Sequence, residues 1–174
     1  MKKLSFYLGV MIYFTLCHTV QAHVMVEQHA TLRFTPKGAY FLASYPISAF
    51  KGIDDNKDGF IDQNELRSHQ SKVSKQVHEQ VKLYDASKSV ELEGLVINLS
   101  HSHDQKNAGR YLIVMGRFKP VQTTVIRFSS NLFGQKTTEQ RLKLRVTWQA
   151  KPIDFVLSPQ ANVIDFPQQI RGNK

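Results

Sequence analysis

The sequence predicts an α+β fold, mainly an antiparallel β-sandwich with an inserted helical unit. Short runs of alternating apolar and polar residues recur along the chain between turn signals, which is the pattern of a sandwich. One stretch, from Gln63 to Tyr84, switches to helical spacing. No internal repeat or low-complexity linker divides the 174 residues.

The elements follow in order. Val24, Val26, Leu32 and Phe34 mark a first strand over residues 24–34. Thr35-Pro36-Lys37-Gly38 is a turn signal, because proline presets one dihedral and glycine accepts a positive one. Ala39 to Tyr45 returns as the second strand of a hairpin. Pro46 ends that strand and opens a short helix, Ile47 to Ile53, which Gly52 weakens. A stronger helix then runs from Gln63 to Tyr84, with Leu66, Val73, Val77, Val81 and Tyr84 on one stripe and Arg67, Lys72, Lys75, Glu79 and Lys82 on the wet faces. That stripe has the sheet as its available partner.

From Ser89 the period becomes two. Val90 to Leu99 and Arg110 to Lys119 read as a long hairpin around a polar loop at residues 100–109. Val121 to Ser129 follows, then a loop at 130–138 carrying Leu132 and Phe133. Residues 139–149 alternate most cleanly: Leu142, Leu144, Val146 and Trp148 face one way, Arg141, Lys143, Arg145 and Thr147 the other. Asp154 to Ser158 and Asn162 to Phe166 are shorter strands, and the polar tail from Pro167 is expected to fray.

The ends and the charge bound the setting. Lys2 and Lys3 precede an apolar run from Leu4 to Cys17, and Val20-Gln21-Ala22 offers small residues for a signal peptidase. Residues 1–22 are therefore expected to be a signal peptide cleaved after Ala22. This leaves residues 23–174 as a single β-rich domain with its helical insert at 46–85. The expected location is periplasmic or secreted, in a bacterium. The only cysteine, Cys17, leaves with the signal, so the mature chain forms no disulfide. Of 23 basic residues, loss of Lys2 and Lys3 leaves 21 against 14 acids, a charge of +7. Such a chain faces anionic surfaces or envelope components more readily than nucleic acid, for which it has no motif. No second long apolar run predicts a transmembrane segment in the mature chain.

Residues 54–65 read Asp-Asp-Asn-Lys-Asp-Gly-Phe-Ile-Asp-Gln-Asn-Glu, matching D-x-[DN]-x-[DN]-G-x5-E at every constrained position. Calcium, a hard cation, takes oxygen ligands in a bent cage. Asp54, Asn56, Asp58, the Phe60 carbonyl, Asp62 (directly or through water) and a bidentate Glu65 supply them, with Gly59 making the turn. The expected ligand is Ca2+. Asp55 adds negative field and Lys57 opposes it. No second loop is present, so affinity is expected in the weak range of extracellular modules, on the order of 10⁻⁴–10⁻³ M. A valine stripe in place of a methionine-rich surface points to a structural role.

Six histidines remain after cleavage. His101-Ser-His103-Asp104 sets two imidazoles beside a carboxylate, and His23 would carry a free α-amino group. These three histidines form the second candidate metal site, suited to copper, zinc or nickel, and with it an alternative reading as a periplasmic transition-metal handling protein. The plain reading is exposed loop residues. His69 and His78, nine apart on the helix, are too distant for one metal and read as solvated. Ser129-Ser130-Asn131 lacks the glycine-flanked elbow of hydrolases, and there is no mature cysteine nucleophile, phosphate loop or H-E-x-x-H helix. No enzyme activity is expected.

The loop over residues 54–66 resembles the EF-hand family, which implies the ligand roles named above. The full entering helix and the second loop of that family are missing. The whole mature chain resembles exported bacterial EF-hand domain-containing proteins. Its strand pattern with Leu132-Phe133 is also similar to the extracytoplasmic domain of HupE/UreJ-type metal transport proteins, whose membrane segments it lacks. Together these imply a non-enzymatic calcium-binding module with a surface for a protein or envelope partner.

Overall fold

The computed structural model describes residues 28–102, 105–123, 125–148 and 152–166. Two sheets face each other, with one long helix to the side. The larger sheet takes β1 (His29–Thr35), β2 (Gly38–Pro46), β3 (Ile61–Asp62), β6 (Leu92–Ser102), β7 (Gln105–Phe118), β9 (Leu142–Trp148) and β10 (Ile153–Leu157). Its order is β10-β9-β1-β2-β7-β3, and β6 also pairs with β7. The smaller sheet runs β11-β8-β4-β5, from Val163–Phe166, Ile126–Ser130, Val81–Asp85 and Lys88–Val90. The helix α1 spans Gln63–Gln80.

The predicted β1–β2 hairpin forms, with Thr35 opposite Gly38. Gly38 is needed there: its φ is +125°, and a side-chain carbon would lie 2.2 Å from the Phe118 carbonyl oxygen. The sandwich is not wholly antiparallel. β1 pairs with β9 in parallel, Leu32 opposite Val146, so the larger sheet is mixed. A strand near the start of the chain thus lies beside one near its end, a pairing that alternation alone cannot orient.

Apolar residues from the two sheets meet in the middle. Phe41 of β2 and Phe128 of β8 approach to 5.9 Å between ring centroids, and Phe34 meets Phe166 edge-on at 5.9 Å. Phe34 also stacks on Trp148 at 4.2 Å. Leu142, Leu144 and Val146 are fully buried while Arg141, Lys143 and Arg145 are exposed, as the alternation requires. Tyr45 is buried with its hydroxyl 3.2 Å from Ser130 Oγ. Burial pushes its phenol well above the ordinary tyrosine range, and the Ser130 bond pulls the other way.

Several boundaries depart from the sequence reading. The helix stops at Gln80, four residues early. Val81 and Leu83 suit either period, and the smaller sheet claims them by pairing Val81 with Ser130 and Leu83 with Phe128. The expected strand from Val90 to Leu99 is two strands. β5 pairs with β4 and β6 with β7, so the chain crosses between sheets at Glu91. The expected loop at 100–109 is mostly strand, with His101 opposite Gly109 and Ser102 opposite Gln105. The strand expected from Val121 begins only at Ile126. Asp85 accepts backbone N–H bonds from Gln122 and Thr123, at 2.6 and 2.9 Å, and holds that stretch as a bend.

The short helix expected at Ile47 to Ile53 is one 3-10 turn, Ile47–Ala49, followed by loop. Gly52 sits at φ +64°, outside the helical region. The helix α1 does pack as its stripe predicts. Leu66, Val73 and Val77 are buried, and the helix lies against β3, β4 and β6. No helix among the described residues is long and apolar enough to cross a membrane.

Candidate functional site

The twelve residues 54–65 form a loop that closes on itself through short polar bonds. Gly59, at φ +81°, turns the chain so that its N–H donates to Asp54 Oδ2 at 3.0 Å. Asn56 Oδ1 accepts from the Asp58 N–H at 3.0 Å, and Asp58 Oδ1 from the Phe60 N–H at 2.8 Å. These are the turn-forming bonds that Asn and Asp make with backbone two residues on. Lys57 takes a left-handed φ of +59° to complete the curve.

The second half of the loop is anchored on the sheet. Ile61 is fully buried and pairs with Gly109 of β7, and Asp62 pairs with Ala108. Pairing with β7 therefore steadies the second half of the loop. Phe60 lies under Arg110, whose guanidinium carbon is 4.4 Å from the ring centroid.

Asp62 and Glu65 also start α1. Asp62 Oδ1 accepts from the N–H groups of Asn64 and Glu65, at 2.7 and 2.8 Å. Glu65 Oε2 accepts from the Asp62 N–H at 3.0 Å, completing a capping box. Glu65 Oε1 reaches across the loop to the Asp55 N–H at 3.1 Å. Both carboxylates also sit favourably at the positive end of the helix.

The donor set fits a hard cation in kind, and one observation sharpens the fit. Asp54 Oδ1 is buried and has no hydrogen-bond partner among the described residues. A buried carboxylate oxygen without a partner is costly unless a cation supplies one. Among the described residues, no three His, Cys, Asp or Glu side chains stand grouped to hold a metal. The reason lies in the bonds above: both oxygens of Glu65 are turned to backbone N–H groups and Asp62 is committed to the helix cap. Coordination by Glu65 would exchange those bonds for the ion, which subtracts from affinity.

The helix α1 also clamps the segment before the loop. Gln76 of α1 grips the Lys51 backbone, its Oε1 accepting from N–H at 2.9 Å and its Nε2 donating to the carbonyl at 3.3 Å. Lys72 donates to the Gly52 carbonyl at 2.7 Å. His69 Nε2 lies 2.9 Å from Asp55 Oδ1. Residues 69, 72 and 76 share one helical stripe, which the sequence displays; that the stripe faces the incoming chain is tertiary and is not in the sequence. His69 and His78 are thus not simply solvated. His78 sits between two backbone carbonyls, Nδ1 2.8 Å from that of Ser74 and Nε2 3.1 Å from that of Leu92.

Of the second metal candidates, His23 and His103 lie outside the described residues, as does the segment 1–22. His101 has its backbone in β6, opposite Gly109. Ser130, weighed above for hydrolase chemistry, is fully buried against Tyr45. Compared with protein-family models and with curated proteins, the chain matches none.

Proposed function

We propose that this chain is an exported, non-enzymatic calcium-binding protein whose single EF-hand-like loop plays a structural role. The observation that carries the reading is the buried, unpartnered Asp54 Oδ1 inside a loop already curved by Gly59 and fixed to β7 by Ile61. Asp54, Asn56, Asp58, the Phe60 carbonyl, Asp62 and Glu65 would hold the ion. A bound calcium supplies positive charge that ties the segment before the loop to the start of α1. The loop's own hydrogen bonds give it shape without metal, which favours a staple over a switch.

Titration calorimetry with CaCl₂ tests the proposal. One ion should bind per chain, with affinity in the sub-millimolar to millimolar range. Saturation should raise stability by about 1–2 kcal/mol through mass action. Glu65→Gln should abolish both effects. Absence of heat and of any shift in thermal midpoint up to about 10 mM CaCl₂, well above the weak end of the expected range, would overturn it. Export is part of the same proposal. Mass spectrometry of the released protein should find His23 at its N-terminus, and an intact Met1 would argue against cleavage.

A further inference from the structure

The outer face of the larger sheet carries a groove that the calcium reading does not use. Its volume is about 520 Å³, within the range of small-molecule sites. Tyr40 and Leu42 of β2 and Met115 of β7 line it, together with the charged residues Arg33, Glu93 and Arg117. β2 is an interior strand of the sheet, yet Tyr40 and Leu42 remain 47% and 41% exposed. The wall formed by β6 is shaped by a bulge. Pairing with β7 slips between Glu93 and Val96, and Gly94 sits there at φ +60°. A bulge bends its strand and re-aims neighbouring side chains.

The charges in the groove are not balanced internally. Elsewhere on the sheets, arginines face carboxylates across paired strands: Arg145 meets Asp154 at 2.7 Å and Arg127 meets Asp165 at 2.6 Å. Within the groove Arg117 reaches Glu93 at 3.2 Å. Arg33 differs. Its cross-strand neighbours are Tyr40 and Thr147, and no carboxylate or other acceptor meets it among the described residues. An unpaired guanidinium beside an aromatic and aliphatic floor is matched by one anionic head on an apolar body, since guanidinium pairs carboxylate with two parallel bonds. A second copy of this chain fits poorly, because it would bring another basic surface, the formal charge being +9 for the whole sequence and +7 without Lys2 and Lys3.

We propose that this groove binds a small amphiphilic anion, an apolar chain or ring bearing one carboxylate, with the anion on Arg33 and the apolar body across Tyr40, Leu42 and Met115. Decanoate, below its micelle concentration, is the probe. Decyltrimethylammonium is its control, with the same tail and opposite charge. Calorimetry on the protein as isolated should show one decanoate per chain and binding of the cation at least about tenfold weaker. Amide shifts should be confined to β1, β2, β6 and β7. Arg33→Gln should weaken decanoate roughly fivefold or more and bring the two probes together, whereas Leu42→Asn should weaken both. Both positions are exposed, so the variants should keep the wild-type circular dichroism. Equal binding of anion and cation, an Arg33→Gln variant that binds decanoate unchanged, or shifts located elsewhere would each overturn the proposal. So would a concentration-dependent dimer abolished by Leu42→Asn, which would assign the face to a second copy.

Discussion

The inter-sheet core and the 54–65 loop are held by opposite means. Phe41, Leu83 and Phe128 meet across two sheets through contacts that join distant parts of the chain, and each is almost completely removed from water. The loop is mostly exposed and is closed by polar bonds, three spanning two to five residues and one, from the Asp55 N–H to Glu65, spanning ten. Burial of apolar surface supplies the energy of the first, while backbone N–H bonds to Asp54 Oδ2, Asn56 Oδ1 and Asp58 Oδ1 supply the shape of the second. Stability and ion affinity should therefore be separable: core changes should alter the first, loop changes the second.

Phe128→Ala gives the largest expected effect. It should cost about 3–5 kcal/mol in denaturant unfolding, while calcium affinity of the remaining folded protein stays within about twofold. A large affinity loss in that variant would break the separation. Tyr45→Phe should cost about 1 kcal/mol, since Ser130 Oγ loses its phenol partner in the dry interior, again with calcium affinity unchanged. Lys57→Gly tests the loop from its own side. Removing a positive charge beside the proposed site, at a left-handed φ of +59° that glycine adopts freely, should tighten calcium binding by about twofold to fivefold and change stability without calcium by less than about 1 kcal/mol.

The smallest effect is on acid stability. Hydrogen bonds from Arg117, Arg145 and Arg127 hold Glu93, Asp154 and Asp165 below the usual carboxylate range. A carboxylate with a lowered folded-state value binds fewer protons folded than unfolded. Its contribution is thus present above the unfolded value, near ~4, and is lost as pH falls through the folded value. These pairs are exposed, so each contributes little. The thermal midpoint of an Asp154→Asn/Asp165→Asn variant should lie slightly below wild type at neutral pH, and the gap should close in the acid range. A gap that persists at low pH would show that the pairs act through packing.

What the sequence displayed and what it did not divide along the same line. The alternation of Leu142, Leu144 and Val146 predicted a half-buried strand, because burial on one face writes its period directly into the residues. The β1–β2 hairpin was legible for a similar reason, with Pro36 and Gly38 marking the turn. The turn at Gly59 was legible too, from glycine's place in the D-x-[DN]-x-[DN]-G pattern. The capping box of Asp62 and Glu65 uses residues that the loop pattern assigns as expected ligands, so one motif hid the other. The end of α1 is not legible because Val81 and Leu83 satisfy two periods, and only pairing with β8 decides between them. The parallel β1–β9 neighbour, the β3–β7 anchor and the Gln76 clamp all depend on which distant segments meet, information that no local window holds.

The parallel β1–β9 pair sets an order of assembly. β1 lies between β2 and β9, and β9 begins only at Leu142. A growing chain can close the β1–β2 hairpin early. Until the residues from 142 onward arrive, however, the other side of β1 presents a row of unsatisfied N–H and C=O groups. The chain is thus open to wrong pairing until β9 is made, and a truncation short of Leu142 should aggregate at β1 even though every residue of that strand is present.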